Sequence, residues 1–170
     1  MAHEHEHEDA PERLPLAFAL ITCSDTRTLE TDTAGNVLVE LIESRGWEVV
    51  ARTIVPDERV VIGDGIIAAV NNYNADIVLT CGGTGLSPRD VTPEATIDVC
   101  DREVPGIAEA MRAHSMRITG RAMLSRATAA QRGTSLVVNF PGSRKAAMEN
   151  WEAIADQFEH AVDMAAGGGH

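Results

Sequence analysis

Aromatic residues are scarce in this 170-residue chain: three Phe, two Trp and one Tyr make up 4% of it. Few rings are therefore available for bases to stack on, which argues against a single-stranded nucleic-acid binder. Basic residues are short too, 14 Lys+Arg against 26 Asp+Glu for a formal net charge of −12. The basic footprint of a general nucleic-acid binder is missing, although the total does not exclude a small polyanion held at one local site. Cys23, Cys81 and Cys100 are odd in number and have no CxxC spacing, which speaks against a disulfide framework or a zinc site and suits a reducing cytoplasm. No apolar run approaches the roughly 20 residues of a membrane span. The opening MAHEHEHEDAPER has neither the basic start nor the apolar stretch of a secretory signal.

What is present is enough apolar material for a core, 44% of residues, with 24% charged. The length suits one domain, expected over residues 14–165. The His/Glu alternation of residues 1–13 reads as a metal-binding tract or, more simply, as a solvated tail or purification tag. Residues 166–170 read as a frayed end.

Between these ends, short apolar runs alternate with helical stripes. Leu16–Ile21, Trp47–Val55, Asp76–Cys81 and Ser135–Phe140 are expected as strands. Ala34, Val37, Leu38, Leu41 and Ile42 lie at helical spacing after a cap at Asp32 or Thr33, and Gly46 stands at the stop position. Further helices are expected over 59–73, after Thr92 (as N-cap, with Pro93 at N1), over 106–116, and beyond residue 143. This alternation predicts an α/β fold, a mostly parallel sheet with helices on both faces in three layers. In such folds ligands bind beyond the carboxyl ends of the strands.

Four post-strand loops should then open on one edge. They bring Ser24 and Asp25, then Asp57 and Glu58, then Gly82, Gly83, Thr84, Gly85, Arg89 and Asp90, and last Pro141, Gly142 and Ser143. Glycine turns let successive backbone N–H groups close on an anion, though the same residues also make plain tight turns. No GK[ST] follows them and no GxGxxG is formed, so the common NTPase and dehydrogenase signatures are missing. With Thr92 taken as the cap, Asp90 has no capping duty. It is free to pair Arg89 or to act in the site. Asp57 reads either as an N-cap for the helix beginning at Glu58 or as a partner of Asp90 in holding Mg²⁺. Cys81 lacks a neighbouring His and reads as a buried strand residue, and His114 and His160 as surface or packing residues. Met111, Met116 and Met123 read as core filler.

The segment Gly82-Gly83-Thr84-Gly85-Leu86-Ser87-Pro88-Arg89-Asp90-Val91-Thr92-Pro93-Glu94-Ala95 closely resembles the MoaB/MogA family of molybdenum-cofactor biosynthesis proteins, which includes the gephyrin G domain. Ordered matches extend the likeness over residues 16–164: Ser24-Asp25-Thr26, Val55-Pro56-Asp57-Glu58, Val104-Pro105-Gly106, Met123-Leu124-Ser125-Arg126-Ala127 and Pro141-Gly142-Ser143. The resemblance implies a molybdopterin-binding α/β fold, usually trimeric. Active members transfer AMP from Mg-ATP to the terminal phosphate of molybdopterin and release pyrophosphate. It also implies that Asp57 and Asp90 are the essential pair, with Mg²⁺ between protein and ATP. Ser24, Asp25, Gly82 to Gly85, Arg89, Ser125 and Pro141 to Ser143 would surround pterin and phosphates. Two rival readings are a molybdopterin carrier or scaffold without turnover and a nucleotide pyrophosphatase or amidase domain. The resemblance also suggests a downstream MoeA-type molybdate-inserting protein as partner; such proteins need additional domains, so insertion by this chain alone is not expected. The charge distribution agrees with a phosphate site: residues 110–148 hold no acid, yet include Arg112, Arg117, Arg121, Arg126, Arg132, Arg144 and Lys145. A solvated basic face is the plainer explanation of that stretch.

Overall fold

The computed structural model describes residues 13–168, so the His/Glu tract lies outside the described residues. β1 (Ala17–Cys23) is buried along almost its whole length because it has a sheet neighbour on each side and helices on both faces. It pairs in parallel with β2 (Glu48–Val55) and with β3 (Ile77–Cys81). In turn β3 pairs in parallel with β6 (Ser135–Phe140). Beyond β6 the sheet turns antiparallel through β5 (Ala129–Arg132) and the two-residue β4 (Arg102–Glu103), giving the order β2-β1-β3-β6-β5-β4.

The period of two along each strand divides the core. Phe18 and Leu20, Ile77 and Leu79, and Val138 and Phe140 face α1 (Thr33–Ser44), α4 (Pro105–Met116), α5 (Arg144–Ile154) and Phe158 at the start of α6 (Phe158–Ala165). Ala19, Ile21, Val78 and Val137 face α2 (Arg59–Asn71) and α3 (Thr92–Val99). The α/β fold with helices on both faces is as expected. The few aromatic residues are concentrated rather than spread. Phe18 stacks on Trp47 at 5.3 Å between centroids and meets Phe158 edge-on at 5.5 Å, and Trp151 completes the cluster. Four of the six rings thus serve packing, and Phe140 is buried as well.

Several details differ from the expectation. Val91, not Thr92, is the N-cap of α3; Thr92 is already helical, and its fully buried hydroxyl has no hydrogen-bond partner. Met111 is core, but Met116 and Met123 are 40% and 64% exposed. At the other end, Gly167 and Gly168 donate back to Met164 and Asp163 and close α6. Arg13 bonds Asp163 at 2.8 Å.

Candidate active site

The parallel strands β1, β2, β3 and β6 end on one edge of the sheet, and the first two post-strand loops lock to each other there. Ser24 N–H donates to Val55 O at 2.9 Å. The Ser24 hydroxyl accepts from the N–H of Thr26 and Arg27, which curls the first loop. Asp25 N–H donates to Asp57 Oδ2 (3.1 Å), and Asp57 N–H donates to Asp25 Oδ1 (3.0 Å). Arg89 from the third loop grips Asp25 with a bidentate pair, Nε at 3.0 Å and Nη2 at 2.9 Å.

The two carboxylates titrate in opposite senses as a result. Hydrogen bonds from Arg89 and from the Asp57 amide hold Asp25 below the usual carboxylate range. Burial first, and then the Asp25 charge, push Asp57 above it. The capping duty considered for Asp57 does not hold. The α2 N-cap is Glu58, which makes no side-chain cap bond, and Asp57 Oδ1 is buried without a donor. A buried oxygen on a half-buried carboxylate, with no protein donor, is suited to a hard cation.

The third loop needs its glycines for close approach. Gly82 (φ +100°) and Gly83 (φ +67°) lie in the left-handed half of the map. A Cβ on Gly82 would stand 2.6 Å from the Cys23 carbonyl oxygen, and one on Gly83 would stand 2.2 Å from the Thr92 hydroxyl and 3.5 Å from Asp57 Oδ1. At Gly85 a Cβ would come within 2.8 Å of Asp90 Oδ2. Asp57 and Asp90 therefore flank the same loop, one at Gly83 and the other at Gly85. Asp90 Oδ2 also accepts from Ser87 N–H at 3.0 Å, a turn-closing bond in place of the Arg89 pairing considered from sequence. Among the described residues, the amides of Gly83, Thr84, Gly85 and Leu86 have no protein acceptor. Such a run of free N–H groups is a nest for an anion.

Next to the loop opens a cleft of about 290 Å³, with Thr84, Gly85, Ser125 and Pro141 in its wall and Arg112 and Arg121 at its side. Gly142 packs on Gly82: a Cβ there would be 3.3 Å from the Gly82 Cα. The Ser143 hydroxyl caps α5, accepting from Ala146 N–H. The expected site residues thus fall into two groups joined by the glycine loop. Asp25, Asp57 and Arg89 form one, while Thr84, Gly85, Ser125 and Pro141 line the cleft. Cys81 is fully buried, and burial drives its thiol well above the ordinary value. Cys23 is pushed up to about 12, again chiefly by burial. Neither is a ready nucleophile. His114 lies 3.6 Å from Glu152, away from this edge.

Residue-by-residue reading missed the roles of two arginines. Arg112 donates to the carbonyls of Ser125 and Ala127, and Arg126 binds the glycine loop. Their signal was their place in an acid-free stretch, with Arg126 the arginine of the Leu-Ser-Arg segment itself.

Residues 19–160 match the family described as "Probable molybdopterin binding domain". The chain belongs to this family. Among curated relatives of this molybdopterin-binding domain, the "Molybdopterin adenylyltransferase" of Helicobacter pylori is 42% identical over 114 residues, covering 67% of this chain and 65% of the relative. The "Molybdenum cofactor synthesis protein cinnamon" of Drosophila melanogaster is 37% identical over 152 residues, 88% of this chain but 25% of the relative. The chain therefore matches a quarter of the length of one and just under two thirds of the other. Among solved structures, the "Molybdopterin biosynthesis enzyme MoaB" from Thermus thermophilus superposes with a TM-score of 0.82 at 40% identity, covering 89% of this chain and 97% of that one. Among the described residues, no helix is long and apolar enough to cross a membrane.

Proposed function

We propose that this chain is a molybdopterin adenylyltransferase, transferring AMP from ATP to the terminal phosphate of molybdopterin. The observation that carries the reading is the juxtaposition of a free-amide glycine loop with two aspartates, Asp57 and Asp90, in a chain whose relatives are named for this chemistry. In the reaction a molybdopterin phosphate oxygen forms a bond to the α-phosphorus of ATP. The bond from that phosphorus to the β-phosphate bridging oxygen breaks, and pyrophosphate leaves. The attacking phosphate is already ionised near neutral pH, so no strong general base is required. The difficulty is bringing anions together, and catalysis then rests on positioning and charge neutralisation.

Each loop supplies part of this. The amides of Gly83 to Leu86 donate to phosphate oxygens. Ser125, Thr84 and Pro141 shape the cleft for the pterin, and Gly142 lets the fourth loop pack against the third. Arg89 holds Asp25, and Asp25 in turn fixes the main chain at Asp57. The donor set fits Mg²⁺, since Asp57 Oδ1 is buried without a partner and Mg²⁺ takes one or two carboxylates with phosphate oxygens and water. Asp57 and Asp90 would hold it, and when bound it would neutralise charge on the departing pyrophosphate. A cytoplasmic homotrimer delivering product to a MoeA-type protein completes the proposal and rests on family resemblance.

The test is a Mg²⁺ titration of turnover in wild type, Asp90→Asn and Asp57→Asn. Both variants are expected to lose turnover while retaining molybdopterin binding. Full activity in Asp90→Asn would remove that residue from the metal role. Wild-type protein that binds molybdopterin without turnover at any Mg²⁺ concentration would establish the carrier reading instead.

A further inference from the structure

The peptide planes of the glycine loop are oriented by an arginine that lies outside it. Arg126 donates from its backbone N–H to Thr84 O (2.9 Å), from Nε to Gly85 O (2.7 Å) and from Nη2 to Asp90 O (2.6 Å). Its Nη1 pairs with Glu94 in the first turn of α3. Burial alone would raise the Glu94 carboxyl, yet this hydrogen bond brings it below the usual range.

The consequence follows from peptide geometry. In a trans peptide the C=O and N–H point in opposite directions. Drawing the Thr84 and Gly85 carbonyls toward Arg126 therefore turns the N–H groups of Gly85 and Leu86 away from it. Those N–H groups are among the ones without a protein acceptor. Thr84 and Gly85 line the cleft, whereas Arg126 does not. The same guanidinium anchors Asp90 through its carbonyl, so loop and carboxylate are registered to each other through one side chain. Only a rigid, planar fork supplies the donors to Gly85 O, Asp90 O and Glu94 at once; a lysine ammonium lacks that fixed geometry.

We propose that the Arg126 guanidinium, braced by Glu94, is a positioning group for the transfer reaction: it presents the Leu86 amide, beside the Gly85 amide that the Arg126 main chain presents, as a phosphate cradle and holds Asp90 in register with it. The proposal rests on the phosphate-binding part of the function above. It assigns no contact between Arg126 and substrate.

The experiment uses the full-length, ¹⁵N-labelled chain with inorganic pyrophosphate as probe. Wild type is compared with Arg126→Met, Arg126→Lys, Glu94→Gln and, as a control for lost charge, Arg102→Met on the edge strand. Amide shifts of Thr84, Gly85 and Leu86 report binding. Hydrogen exchange of the Asp90 and Thr92 amides, bonded to Ser87 O and Gly83 O, reports loop order. The expected result for Arg126→Met is exchange faster by about tenfold or more and pyrophosphate affinity weaker by about tenfold or more, the loss of one or two charge-assisted bonds. Arg126→Lys should recover part of both, and Arg102→Met should match wild type. If Arg126→Met does not fold, Arg126→Lys and Glu94→Gln carry the same comparison at smaller amplitude. Wild-type affinity in the folded Arg126 variants, whatever the exchange, overturns the proposal. A wild-type chain whose loop amides ignore pyrophosphate while the variants exchange faster overturns the cradle reading itself and leaves Arg126 as a loop clamp only.

Discussion

Replacing Gly82 with alanine should separate two reasons for a glycine at the turn out of β3. The first is conformational. At φ +100° an L-residue is strained by about 1–3 kcal/mol. The second is contact, because the new methyl would lie 2.6 Å from the Cys23 carbonyl oxygen. That atom belongs to the backbone at the end of β1, so no side-chain rotation can relieve the overlap, and overpacking of this kind costs about 1–3 kcal/mol more. Together the loss is about 4 kcal/mol. At about 2–4 °C per kcal/mol for a domain of this size, the melting temperature should fall by about 8–16 °C. Gly133 is the reference. Its φ is +56° and nothing lies within 4 Å of its Cβ position, so Gly133→Ala should cost only about 1–2 kcal/mol. Urea unfolding of both variants at matched pH measures the difference directly. Equal losses would refute the close-approach argument and with it the claim that the first and third loops are pressed together.

Three further outcomes follow from the same geometry. In EDTA and without nucleotide, Asp57→Asn should be as stable as wild type or more stable at pH 7. Burial and the Asp25 charge raise the folded-state pKa of Asp57 above 3.8, so the folded chain binds that proton more tightly than the unfolded chain. Its contribution to stability therefore declines as pH rises through the window above 3.8. The gain of the variant should shrink as pH falls below that window, and urea midpoints from pH 3 to pH 8 check it; a variant clearly weaker at pH 7 would restore a capping role for Asp57. Arg89→Met breaks an exposed pair with Asp25 and should shift stability by no more than about 1 kcal/mol, yet lower turnover at least about tenfold by freeing Asp25 and the Asp57 main chain. Thermal melts beside initial rates separate the two effects. Trp151→Ala, in the aromatic cluster and 3% exposed, should cost about 3–5 kcal/mol with the active-site amides unshifted by NMR.

The inner parallel strands were legible because they carry continuous apolar runs, whereas β2, at the edge, is interrupted by Arg52 and Thr53. Phe18 to Ile21, Ile77 to Leu79 and Leu136 to Val138 alternate between two buried faces, so both phases of the period are apolar. The antiparallel edge was not. β4 is the pair Arg102–Glu103 and β5 reads Ala-Ala-Gln-Arg, with no β-branched or aromatic residue to announce a strand. Tertiary pairing, not local propensity, makes them strands.

At the site, the glycines and aspartates were visible as types, but their assignments were set by contacts that no spacing encodes. Thr92 resembles an N-cap by residue type and position, yet Val91 takes that place and the Thr92 hydroxyl is turned into the site beside Gly83. The basic stretch of residues 110–148 illustrates the limit of charge counting. Arg112, Arg126 and Arg132 are bonded to main-chain carbonyls, so they shape the loops more than they advertise positive charge. Arg121, at the cleft, makes no side-chain hydrogen bond among the described residues and remains available to an anion.

The most direct measurement of the central claim is product analysis of purified protein incubated with molybdopterin, ATP and Mg²⁺. Adenylylated molybdopterin and pyrophosphate are expected in equal amounts, with neither formed when molybdopterin is omitted. Folded protein that binds molybdopterin but yields no adenylylated product, or pyrophosphate release that ignores molybdopterin, would contradict the assignment.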